Sequence, residues 1–281
     1  MAIIDAHHHL WERGRFSYPW LRGNPVLDRD FLLREYTRLS AAAGVTHSVF
    51  VQAETEPCHG LQEARWALSM VSAEGPVTGV VAWAPVESNA LEQHLDQLGD
   101  DPGLKGIRRL LQGEPDPRFC VRPEFVAGAR HVAARELVLD ICVYHHQLPA
   151  VIELVDAVPH GHFVLDHIGK PAIRSAQLEP WATHIRALAE RDNVSCKLSG
   201  VATEADWECW SVADLQPYIE TVIEAFGYRR LMFGSDWPVS TQAVSYARWL
   251  EIVEQALLPA GSEARAQVMA GTAAAVYGLS V

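Results

Sequence analysis

Three consecutive histidines stand within the first nine residues, in the stretch Asp5-Ala6-His7-His8-His9-Leu10-Trp11. The apolar Ile3 and Ile4 precede them, so the run reads as the end of a short buried strand. Side chains alternate along a strand, which puts His7 and His9 on one face and His8 on the other. Two imidazoles at that spacing suit a metal ion or a polarised carbonyl. Near the other end, Gly234-Ser235-Asp236-Trp237-Pro238 places an acid after two small residues that let the backbone turn. An Asp near its reference pKa of about 4 is ionised at neutral pH and can take a proton from water.

Such groups need a frame that brings the two ends of the chain together. Short runs rich in Val, Ile and Leu recur at 2–9, 46–54, 77–86, 104–111, 137–145, 162–169, 194–200 and 231–238. Most are too apolar for strands with one wet face and suit a parallel sheet covered on both sides. Between and after them lie segments of helical spacing at 28–44, 60–75, 89–100, 122–136, 148–159, 179–193, 215–227 and 246–258. Eight alternations predict one closed (β/α)8 barrel over residues 1–281. A doubly wound open sheet ranks second, but no glycine-rich phosphate turn follows an early strand.

In such a barrel the site lies at the C-terminal strand ends. Those ends carry His7 and His9; Gln52 and Glu54; Trp83; Arg108 and Arg109; His145 and His146; His167; Lys197 and Ser199; and Asp236 with Trp237. Arg108 and Arg109 point to opposite faces of a regular strand, so one of them enters the mouth. The loop Phe16-Ser17-Tyr18-Pro19-Trp20-Leu21 follows the histidines and reads as a lid with an apolar wall.

Composition narrows the partners. A net charge of −12 over 281 residues argues against nucleic acid or an anionic membrane. The five cysteines form no CxxC pair, which suggests reduced thiols in a cytoplasmic protein. No apolar run approaches the roughly 18 residues of a membrane span, and residues 1–10 lack the basic start of a signal peptide.

The stretches DAHHHLW, FSYPWL, VQAE, GIRRLLQ, HHQLP, LDHIGKP, KLSG and GSDWP, in that order, resemble the amidohydrolase superfamily in its amidohydrolase-2 type lactonase branch, which includes sugar lactonases. The likeness fades at GTAAAVYGL, where Thr272 and Ala275 replace the usual Asn and Arg. The resemblance implies a hydrolase that opens a small sugar-acid lactone, an aldonolactone such as L-fuconolactone, in a possible homo-oligomer. Asp236 would deprotonate the attacking water, with His167, His7 and His9 as catalytic partners. It implies one divalent metal, zinc first, or none, held by His7, His9, His146 and Asp236, with His145 or His167 as alternatives to His146. A two-metal centre needs a bridging ligand at strand 4, where Arg108 and Arg109 stand instead. Arg108, Lys197, Trp20, Gln52, Trp83 and Trp237 are the expected substrate contacts, and Asp5 the residue that orients a histidine. A dicarboxylate lactonase, which would need two converging cations, and a metal-dependent decarboxylase remain the alternatives.

Overall fold

The chain was analysed as a computed structural model, which describes residues 2–72 and 75–280. Positions 73 and 74 of the expected helical run 60–75, and the first and last residues of the expected barrel, lie outside them. The strands are β1 (Ile4–His8), β2 (His47–Val51), β3 (Val77–Ala82), β4 (Leu104–Arg108), β5 (Val138–Ile141), β6 (Phe163–Leu165), β7 (Val194–Leu198) and β8 (Leu231–Phe233). All seven neighbouring pairs are parallel and follow chain order from β1 to β8. A parallel bridge between His8 and Trp237 draws the sheet's two edges together. The His9 N–H donates to the Trp237 carbonyl at 2.7 Å and the Asp236 N–H to the His7 carbonyl at 2.8 Å. This is the (β/α)8 barrel that the alternation predicts.

The helices are α1 (Leu33–Ala42), α2 (Gly60–Leu68), α3 (Leu91–Leu98), α4 (Pro123–Ala134), α5 (Leu148–Ala157), α6 (Trp181–Ala189), α7 (Val212–Phe226) and α8 (Tyr246–Leu257), followed by the short α9 (Gly261–Ala266) and α10 (Thr272–Val276). Two apolar clusters result, as a barrel requires. The larger lies between sheet and helices. The smaller fills the barrel, where Ile4, Ala6, Val49, Val51, Val81, Val138, Val164 and Met232 meet Ala273, Tyr277 and Leu279. The C-terminal segment therefore plugs the barrel's floor, and Thr272 holds it there near the carbonyls of Tyr228 and Arg229.

The pairing of β1 with β2 shifts register between Asp5 and His8. An irregularity of this kind re-aims a side chain. Ala6 still packs inside the barrel, while His7 and His9 reach its mouth and His8 stacks outward on Tyr36 with ring centroids 3.8 Å apart. Among the described residues no helix is long and apolar enough to cross a membrane, and all five cysteines are free.

Helix α4 approaches the segment after β3 so closely that a Cβ at Gly128 would lie 1.8 Å from the Val86 carbonyl oxygen. Neither backbone can yield without moving its neighbours. Gly128→Ala is expected to cost on the order of 1–3 kcal/mol and to lower Tm by several degrees, measured by thermal unfolding. A Tm unchanged within one degree or so would contradict this packing.

Candidate active site

The first and last strands deliver the central groups. His9 Nδ1 lies 2.7 Å from the Val51 carbonyl oxygen. A carbonyl only accepts, so Nδ1 carries a proton, and Nε2 faces the cavity. His9 Nε2 lies 3.2 Å from His7 Nε2 and 3.4 Å from Asp236 Oδ1. His7 Nε2 and His167 Nε2 each lie 3.9 Å from the same oxygen. Three imidazole nitrogens thus face one carboxylate oxygen.

Burial sets the charge of these groups. It pushes the His7 imidazole well below its ordinary value, against Asp166, and lowers His167 to about 4. Burial would raise the Asp236 carboxyl, but His167, His9 and Lys170 outweigh it and hold it below the usual carboxylate range. The cluster therefore joins an ionised acid to neutral imidazoles at His7 and His167.

A charged layer lies beneath the cluster. Asp166 Oδ1 sits 3.2 Å from His7 Nδ1 and 3.1 Å from Lys197 Nζ, and Lys197 also contacts Asp140 closely. Arg108 donates to Asp166 Oδ2 at 3.1 Å and to the Gln52 carbonyl at 2.6 Å, and its Nη1 lies 3.4 Å from His7 Nε2. Burial would raise the Asp166 carboxyl, but Lys197, His7 and Arg108 outweigh it and hold it well below its ordinary value.

Above the cluster opens a cavity of about 180 Å³, lined by His9, Trp20, Ala53, Glu54, Arg108, Leu110, Gln112, Cys142, His167, Lys170, Asp236 and Val239. That is smaller than the roughly 300–1,000 Å³ of pockets for drug-sized ligands, so it suits a single small ring. Trp20 stands at the rim, 40% exposed, and its indole N–H donates to the Ala53 carbonyl at 2.9 Å.

Several expected residues lie elsewhere. Strand β5 ends at Ile141, and His145 and His146 follow on a 3-10 turn. His146 is exposed and stacks on Tyr144, so the expected strand-5 ligand does not reach the cluster. Trp83 packs over Gly60 and edge-on to His94, outside the barrel. Trp237 is buried against Phe31 and Tyr36. Lys197 is fully buried below the cavity. Gln52 is buried as well, donating from its amide to Glu54 Oε2 at 3.1 Å. Arg109 turns outward to Glu87 and Glu114. Asp140, Asp166 and Lys170 escaped the sequence reading. Asp166 and Lys170 flank His167 within LDHIGKP, and Asp140 follows the inward position Val138 by two residues, a period that could have shown it.

Two overlapping sets among the described residues place ligand atoms within 4.8 Å of one another in the buried cluster: His7, His9 and Asp236, and His7, Asp166 and His167. Residues 4–279 match the amidohydrolase family. An L-fucono-1,5-lactonase of Burkholderia multivorans is 34% identical over 98% of this chain and 96% of its own length. A second, from Burkholderia ambifaria, is 33% identical over 98% of this chain and 94% of its own. A crystal structure of a Burkholderia multivorans amidohydrolase with bound zinc superposes with a TM-score of 0.91 at 33% identity, covering all of both chains. The chain belongs to the amidohydrolase family.

Gly200 adopts φ +59°, and a Cβ there would stand 2.7 Å from both Asp236 Oδ2 and His167 Nδ1. Gly200→Ala is expected to lower turnover at least about tenfold as it displaces both groups, with a small loss of Tm. Equal turnover would show that the cluster tolerates the shift.

The rim also contains a buried acid, Glu63 of α2. Its Oε1 accepts from the Tyr18 hydroxyl and the Ala53 N–H, each at 3.2 Å. Burial pushes its carboxyl up to about 8, against those two donors and Arg108, while Glu54 adds to the rise. Below about pH 4.5, its ordinary value, the carboxyl is neutral in both folded and unfolded chains. Between there and pH 8 only the unfolded chain ionises, so the stability this group lends is lost progressively as pH rises. Glu63→Gln removes that dependence. Its Tm should gain on wild type by roughly 3–8 °C between pH 5 and pH 9. Parallel Tm curves would refute the burial argument.

Proposed function

We propose that the chain hydrolyses a small sugar-acid lactone, with an aldonolactone such as L-fucono-1,5-lactone as the leading candidate. The observation that carries this reading is the convergence of three histidine Nε2 atoms on Asp236 Oδ1 beneath a cavity sized for one ring. The full-length likeness to two L-fucono-1,5-lactonases supports the substrate class.

Asp236 takes a proton from water as the water oxygen bonds to the lactone carbonyl carbon. The tetrahedral intermediate then collapses, the ring C–O bond breaks, and the proton returns to the leaving alkoxide. Ring opening yields a hydroxy acid and consumes one water. Trp20 forms part of the wall beside the ring.

The donor set fits a divalent ion. His9 Nε2, His7 Nε2 and Asp236 Oδ1 are buried donor atoms turned toward one another, the last two 3.2 and 3.4 Å from the first. His7, His9 and Asp236, with His167 within reach, would hold the ion, and nitrogen and oxygen ligands of this kind suit zinc. When bound, it would polarise the carbonyl and acidify water. Lys197 and Arg108 place positive charge against His7, where a second ion would have to sit, which supports one ion at most.

Asp236 sits at φ +54°, a conformation that Asn tolerates well. Asp236→Asn should therefore keep the fold and the Asp236 N–H bond to His7 while kcat on L-fucono-1,5-lactone falls roughly 10²–10⁴-fold. A well-folded variant with wild-type turnover would end the assignment of Asp236 as base. A chelator should abolish activity and zinc should restore it; activity undiminished by exhaustive chelation would remove the metal from the proposal.

A further inference from the structure

Two charged residues of the cavity take no part in the histidine–Asp236 cluster. Glu54 and Lys170 line the cavity with His9, His167 and Asp236. Each has left-handed backbone, φ +56° for Glu54 and +43° for Lys170, a conformation that strains a side-chain-bearing residue.

Their polar atoms keep unused capacity. Gln52 clamps Glu54 twice: its Oε1 accepts the Glu54 N–H at 2.6 Å and its amide donates to Oε2 at 3.1 Å. That fixes the carboxylate and leaves Oε1 with no protein hydrogen bond among the described residues. Lys170 Nζ lies 3.8 Å from Glu204 Oε1, an ion pair too long for a good hydrogen bond, and sits over the Tyr144 ring at 5.5 Å. An ammonium has three donors, so Lys170 can still donate to a ligand.

Charge decides what ligand this is. The other cation of the cavity, Arg108, already binds Asp166 and the Gln52 carbonyl. Lys170 faces Glu204, and the cavity holds two further carboxylates, Glu54 and Asp236. A substrate carboxylate would meet more negative than free positive charge. Hydroxyl groups suit both residues, since a carboxylate accepts from them and an ammonium donates to them through charge-assisted bonds.

We propose that Glu54 and Lys170 are specificity residues that read ring hydroxyls, so that the site takes an uncharged polyhydroxylated lactone and rejects acidic lactones. This inference rests on the lactonase reading above and adds to it the residues that select the substrate. A site that hydrogen-bonds a hydroxyl strongly disfavours the analogue lacking it, because its buried polar groups are left unpaired.

The test measures kcat/KM of wild type, Glu54→Gln and Lys170→Met on L-fucono-1,5-lactone, on δ-valerolactone, which has the same ring without hydroxyls, and on 2-pyrone-4,6-dicarboxylate. Wild type should favour the hydroxylated lactone over the bare ring and leave the dicarboxylate unopened. Each variant should lower the ratio of hydroxylated to bare ring by about 10–10²-fold, mainly through KM, a change that general loss of folded enzyme leaves untouched. Ratios unchanged in both variants, or a dicarboxylate opened as fast as the sugar lactone, overturn the proposal while the lactonase reading stands. A wild type inert towards all three overturns the lactonase reading and this one with it.

Discussion

One buried carboxylate joins the two ends of the sequence. Asp5 Oδ1 accepts from the Ser235 N–H at 2.7 Å and the His7 N–H at 3.2 Å. Its Oδ2 accepts from the Ser235 hydroxyl at 2.6 Å and from the hydroxyls of Tyr36 and Tyr246, each at 3.0 Å. Five donors on one fully buried acid more than fill the roughly four acceptor sites of a carboxylate and offset the cost of taking it out of water. Two of the donors belong to residues next to the reacting groups: Ser235 precedes Asp236, and His7 is itself in the cluster. The clamp thereby closes the barrel and sets the distance between its first histidine and its last aspartate. Asp5 orients backbone, and among the described residues its hydrogen bonds go to no imidazole nitrogen.

The layer below works by a second principle. Lys197, Arg108, Asp140 and Asp166 lie inside the barrel, where an isolated charge is very costly and a fully paired one is tolerable. Each takes at least one opposite charge, and Tyr277 donates its hydroxyl to Asp140 from the plugged floor. Such networks contribute more to geometry than to stability. Here the geometry concerns His7, whose Nδ1 lies between Asp166 and Lys197. The final residues of the chain thus act on the site through the barrel's interior, although they lie at its far end.

Much of this was legible because periodicity records it. Strand parity puts His7 and His9 together and turns Arg108 inward and Arg109 outward, and the alternation of runs yields the barrel. What periodicity does not record is where a strand stops. The run 137–145 is apolar almost to its end, yet pairing ceases at Ile141, and the few residues beyond carry His146 away from the cavity. Trp83 and Trp237 went astray in the same manner, since a large aromatic beside a strand end can turn to the helix layer as easily as to the mouth. Lys197 was expected to meet substrate, but two buried aspartates hold it beneath the cavity. Those aspartates lie among hydrophobic neighbours that mask an inward charge.

The mouth itself is strained, and the strain is localised. Of the seven non-glycine residues with positive φ among those described, Glu54, His167, Ile168, Lys170 and Asp236 lie at the C-terminal ends of the strands, and four of these line the cavity. Glycine would relax the backbone at each of the four. A side chain stands there instead, and each is charged or an imidazole. Such conformations persist only where the surroundings over-determine them. The closed barrel, the Asp5 clamp and the Gln52 clamp on Glu54 supply that rigidity. The fold thus holds four polar side chains in directions that relaxed backbone would not give them, so that they converge on a volume of one small ring.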